Sequence, residues 1–147
     1  MGKILRGIVA VGLLTISLFP VLSPTPAYAQ ANGTTIGALT LTATIKSISV
    51  YANFTGDANG NGTTVVQYRI GAGAWITGYT LYKDTRATIY SQGSGQIANP
   101  YVNQYRGSLV GLTANTAYDV RVTFTDADGV VGVNPATGSV TTRTDVF

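Results

Sequence analysis

The segment Asp57-Ala58-Asn59-Gly60-Asn61-Gly62 puts oxygen-bearing side chains on alternate positions and ends on glycine. That is the D-x-N-x-N-G pattern that opens an EF-hand calcium loop. A true EF-hand closes on a bidentate Glu, and here Tyr68 stands at that position. The flanking segments read as strands, so the helix–loop–helix unit is excluded. A second acidic turn, Asp126-Ala127-Asp128-Gly129, lies far downstream. In a β-domain both turns fall at the same end. Asp57, Asn59, Asn61, Asp126 and Asp128 would then meet, and their oxygens could hold a weak Ca²⁺. The same residue types are also what tight turns require, and both readings stay open.

A second chemistry lies in the aromatic middle of the chain. Trp75, Tyr79 and Tyr82, followed by Tyr90, Tyr101 and Tyr105, enrich this stretch in rings, and those that are exposed could stack on sugar faces. Against this, Tyr and Trp also suit strands and half-buried edges. Without the strand register, inward and outward rings cannot be separated.

Composition removes most other chemistries. There is no His, no Cys and no Glu among the 147 residues, and the six acids are all Asp. The commonest general base, the commonest metal ligand and the thiol nucleophile are therefore missing. Asp84 and Asp119 read as lone acids, and Lys46 and Lys83 lack a polar catalytic context. No Gly-x-Ser-x-Gly elbow occurs, and Gly71-Ala72-Gly73 has no helix behind it to form a phosphate loop. The expectation is a non-enzyme.

The elements that must position these groups are strands. Tyr118, Val120, Val122 and Phe124 alternate with Asp119, Arg121 and Thr123, which predicts a strand with one buried face. Leu112 precedes Tyr118 by six residues across a polar corner, the spacing of a tyrosine corner. Leu112, Tyr118, Val120 and Val122 are thus structural candidates. Ile36–Ala43, the alternating set Ile48, Val50, Ala52 and Phe54, and the set Val66, Tyr68 and Ile70 predict three earlier strands. Tyr79–Lys83, Tyr105–Val110 and Val140–Arg143 complete about seven. Residues 84–100 read as a long connection with a small strand at 87–90. No helix or repeat is expected after residue 29.

Residues 1–29 read as a cleaved signal peptide. Lys3 and Arg6 precede an apolar run from Ile8 to Phe19, then prolines, then Ala27-Tyr28-Ala29. The run is shorter than the roughly 20 residues a membrane span needs. Cleavage after Ala29 predicts a secreted, extracellular product with seven basic residues against six acids, a net of +1. No basic patch remains to bind nucleic acid, and no stable span remains after cleavage. Residues 30–35 read as a flexible leader, 36–143 as one domain, and 144–147 as a tail or the start of a linker.

Seven strands at these intervals fit an immunoglobulin-like two-sheet β-sandwich. Leu112, Thr116, Tyr118, Val120 and Val122, with Val140-Thr141-Thr142, make residues 36–143 resemble a fibronectin type III domain. Ala114 departs from that family's usual Pro, and Ala52 from its usual Trp. Tyr68 or Trp75 is expected to fill the missing volume. The set Gly56–Asn61, Tyr68-Arg69, Trp75, Tyr105–Leu109 and Thr125–Val130 looks like accessory modules at the front of secreted bacterial proteins. That resemblance implies a non-catalytic spacer or docking role beside further domains, in a protein that acts on polysaccharide. The alternative is a stand-alone binder of a glycan or cell-surface partner.

Overall fold

The computed structural model of the chain describes residues 32–145. The expected signal peptide and its cleavage site lie outside the described residues. Eleven strands are described: β1 (Thr34–Ala43), β2 (Ser47–Gly56), β3 (Thr63–Arg69), β4 (Ile76–Thr77), β5 (Tyr82–Asp84), β6 (Thr88–Ser91), β7 (Gly95–Ala98), β8 (Gln104–Val110), β9 (Ala117–Thr125), β10 (Val130–Val131) and β11 (Ala136–Thr141). The fold is all-β. Among the described residues no helix is long and apolar enough to cross a membrane.

The strands form three sheets. A five-stranded sheet runs β10-β1-β2-β8-β5, a four-stranded sheet runs β11-β9-β3-β4, and β6 and β7 pair as a separate hairpin. This corrects the expectation of about seven strands in two sheets. Four of the additional elements are very short, or mostly solvent-facing, and so leave little apolar periodicity in the sequence.

The two large sheets bury their facing sides against one another. Ile48, Val50, Ala52 and Phe54 come inward from β2, as their period of two requires, and Ser47, Ser49, Tyr51 and Asn53 face away. Tyr118, Val120, Val122 and Phe124 come inward from β9 on the opposing sheet. Val50, Val120 and Val122 are wholly buried. Each such side chain contributes about 1.5–3 kcal/mol of burial.

Ala52 lies directly across from Tyr105 on β8. Tyr105, not Trp75, fills the space beside this small residue. Its ring packs 5.0 Å from Phe54 and 5.8 Å from Phe124, centroid to centroid. Tyr68 is half-buried, edge-on to Tyr118 at 6.1 Å. The tyrosine corner is formed: the Thr113 N–H donates to Tyr118 Oη at 2.9 Å, over the buried side chain of Leu112. The hydroxyl is thereby satisfied inside the core.

Candidate functional site

The loop after β2 and the turn after β9 meet at one pole of the domain. Asn59 Nδ2 and Asn61 Nδ2 donate to Asp128 Oδ2 at 2.7 and 2.9 Å. Asp126 Oδ1 accepts the Asp128 N–H at 2.8 Å, and Asp126 Oδ2 accepts the Thr34 hydroxyl at 2.6 Å. The five expected calcium ligands, Asp57, Asn59, Asn61, Asp126 and Asp128, are therefore gathered at this end. Their oxygens do not converge on one point. The two Asn side chains aim amide hydrogens, not oxygens, at Asp128. Among the described residues no group of three or more acidic side chains is arranged to hold a metal ion. The set as folded does not fit a divalent cation.

The cation at this pole belongs to the protein. Lys83 projects from β5 on the core side and pairs with Asp57 Oδ2. Lys83 Nζ also donates to the Gly60 and Gly62 carbonyls at 3.1 and 3.3 Å. It lies 5.6 Å from the Phe54 ring and 5.7 Å from the Tyr105 ring. Asp57 Oδ1 accepts the Gly62 N–H at 3.1 Å, closing the loop on itself. Tyr105 Oη donates to the Gly62 carbonyl at 2.6 Å. Burial pushes the Tyr105 phenol well above its ordinary range, and the charges of Asp57 and Asp126 push it further. Lys83 thus has a dense polar context that its sequence neighbours do not reveal.

The aromatic candidates separate. Tyr79 stands exposed beside Tyr68, Leu109 and Val110 at the rim of an open groove of about 500 Å³. Trp75 lies against the outer side of the four-stranded sheet, with the Arg69 and Arg121 guanidinium groups over its indole at 4.4 and 4.2 Å. Arg69 is held by Asp119 at 3.3 Å and Arg121 by Gln67 at 2.9 Å. Asp119 is paired with a base, Arg69, rather than with a second acid. Its carboxyl is held below the usual range first by the Ser139 hydroxyl, at 2.7 Å, and then by Arg69, with burial opposing.

Tyr82 and Tyr101 come together in a cluster on the outward face of the five-stranded sheet. Tyr51 and Tyr82 flank Arg106 as its partners on the two neighbouring strands. Tyr101 comes over from the loop before β8, and the Arg106 guanidinium lies 5.0 Å from its ring and 5.9 Å from that of Tyr82. With Ser49 and Ser108 these residues line an open groove of about 420 Å³. No protein-family model matches this chain, and no curated protein is significantly similar to it.

Asp84 fixes the cluster from beneath. It is wholly buried and accepts Arg86 through Nε at 3.0 Å and Nη2 at 2.8 Å. It also accepts Arg106 Nη2 at 2.5 Å and Asn99 Nδ2 at 3.2 Å. The Arg86 side chain is the largest influence holding this carboxyl well below the usual carboxylate range. Burial opposes it, while the Arg86 backbone N–H and Asn99 act in the same direction. The partners of Asp84 are bases and an amide, Arg86 two residues on and Asn99 and Arg106 from two later segments, and not a second acid. Tyr101 was among the aromatic candidates of the sequence; Arg106 was not a site candidate, and the alternation of β8 was its one available signal. Tyr82 and Tyr101 are exposed, Tyr51 and Arg106 are half-buried, and the guanidinium is fixed on Asp84. That is the chemistry of stacking on a flat ring and donating to its hydroxyl oxygens.

Proposed function

We infer that this chain is a non-catalytic extracellular module of the fibronectin type III kind, an immunoglobulin-like sandwich with an added hairpin. Its role is a spacer or docking domain of a secreted polysaccharide-acting protein. The tyrosine corner and the inward packing of the two large sheets support the fold reading. The docking role rests on one observation: Tyr51, Tyr82 and Tyr101 cluster on the outward sheet face around Arg106, whose guanidinium is anchored by buried Asp84. Rings and guanidinium are already oriented, which lowers the cost of ordering them on a ligand.

A second reading shares this surface. The exposed rings of Tyr82 and Tyr101 favour a binder of a glycan or cell-surface partner that acts alone. The test is affinity electrophoresis through gels containing neutral and acidic polysaccharides. Retardation that disappears in Tyr82→Ala and Tyr101→Ala is the expected result. Retardation that both variants retain would move the docking surface elsewhere. No retardation in any gel would remove the glycan-binding reading. The intact mass of the native secreted product separates module from stand-alone protein.

A further inference from the structure

The chemistry at the opposite feature, the Lys83–Asp57 pole, goes beyond ligand binding. An amine and a carboxyl are held in direct contact there. The Lys83 side chain is 19% exposed and the Asp57 side chain 0%. The ammonium faces two aromatic rings, Phe54 and Tyr105, and water has little access to the carboxyl. In such surroundings the ion pair loses much of the solvation that keeps amine and acid apart in water.

The remaining partners match the product of a condensation as well as they match the salt bridge. Asp57 Oδ1 is fixed by the Gly62 N–H, which polarises the carboxyl carbon for attack and would remain on the amide oxygen afterwards. Lys83 Nζ already donates to the Gly60 and Gly62 carbonyls, and an amide N–H needs one such acceptor. Asp57 Oδ2, the oxygen that must leave, lies 2.6 Å from where a Cβ on Gly62 would stand. The Thr34 hydroxyl, which bonds Asp126, lies 2.9 Å from the same point. The Thr34 hydroxyl, with Asp126 behind it, therefore lies near the leaving oxygen as a route for protons. Holding two reactants in this way replaces a bimolecular encounter with a unimolecular step.

We propose that Lys83 and Asp57 form an intramolecular isopeptide bond. Nζ attacks the Asp57 carboxyl carbon, the new N–C bond forms, and the C–Oδ2 bond breaks. The ammonium gives up two of its protons, and Oδ2 leaves with them as water. The sum is one ammonium and one carboxylate converted to one amide and one water, with no oxidant, reductant or cofactor. The bond ties the end of β2 to edge strand β5 in a chain that has no cysteine and so no disulfide.

Intact-mass spectrometry of the full chain, with its N-terminus determined by sequencing, reads the bond directly. The folded protein is expected to be lighter than its sequence by one water, and a protease digest should yield a branched peptide joining the Asp57 and Lys83 segments. Lys83→Arg keeps a cation beside Asp57 but cannot form this amide, so its mass should equal its sequence. Asp57→Ala should do the same. A folded wild-type protein whose mass equals its sequence after prolonged incubation at neutral and mildly acidic pH would overturn the proposal. A water loss that Lys83→Arg retains would overturn it equally, by placing the dehydration elsewhere. Near-ultraviolet circular dichroism of the tyrosines verifies folding in each sample.

Discussion

Tyr118→Phe isolates the tyrosine corner. The ring stays, and with it the edge-on contact with Tyr68 and the burial among the core residues. What disappears is one acceptor, the hydroxyl that takes the Thr113 N–H at 2.9 Å. A hydrogen bond of this kind contributes about 0.5–1.5 kcal/mol net, and an orphaned buried donor costs about 1–3 kcal/mol. Tyr118 is 4% exposed, but Thr113 is an exposed residue, so its freed N–H can reach water on one side. The loss should therefore sit near the lower end, about 1–2 kcal/mol. For a domain of this size urea acts with a slope of roughly 1.5 kcal/mol per M, so the midpoint should fall by roughly 1 M. Trp75, the single tryptophan, is the fluorescence reporter, on the outer face of the four-stranded sheet. Tyr68→Phe is the matched control, because the Tyr68 hydroxyl takes no part in the corner. A Tyr118→Phe midpoint within roughly 0.3 M of wild type would refute the argument that this hydroxyl stabilises the fold.

Asp84 should make the protein sensitive to acid. Its folded carboxyl is held below the ordinary value of 3.8, so its stabilising contribution is complete above that value and is lost as pH falls through the folded one. Urea midpoints should drop between about pH 5 and pH 2.5, and Asp84→Asn should start lower and drop less. Parallel curves for the two proteins would remove Asp84 from the acid response. Gly78→Ala should cost about 1–3 kcal/mol by overpacking, because the added carbon would stand 2.5 Å from Leu109 Cδ2 and 3.2 Å from Val66 Cγ1. An unchanged thermal midpoint would mean that Leu109 swings freely into the neighbouring groove.

Strands with one wet and one dry face were legible from residue types alone. Ile48 to Phe54 and Tyr118 to Phe124 are examples, since every second residue enters the core. Strand β11 begins at Ala136, four residues before the expected Val140. The reason lies across the interface. Gly138 faces the side chains of Leu39 and Leu41, and only a small residue fits there. A strand of small residues carries almost no hydrophobic signature. The β6–β7 hairpin lies mostly open to solvent, and only its first strand, expected at 87–90, left a trace in the sequence. At the acidic pole the two turns could be placed together because strand order fixes which loops share an end. The cation that meets them could not. Lys83 arrives from a three-residue edge strand, 26 positions from Asp57, and only the register turns it inward. The Arg106 cluster was hidden for the same reason, as its rings come from β2, β5 and a loop.

The ends of β1 bear on how the domain carries load. Its first residue lies beside Gly129 at the pole of Asp57, and the chain leaves the fold at the other pole, where the Arg143 N–H bonds the Thr44 carbonyl. Ten residues of β1 separate the two points by roughly 30 Å. Tension applied at the two ends would run along β1 rather than across it. Its bonds to β2 stand perpendicular to that direction, so they must slide together instead of opening one after another. Such a domain resists stretching better than its modest core suggests, and neighbours joined at its two ends would line up along a single axis.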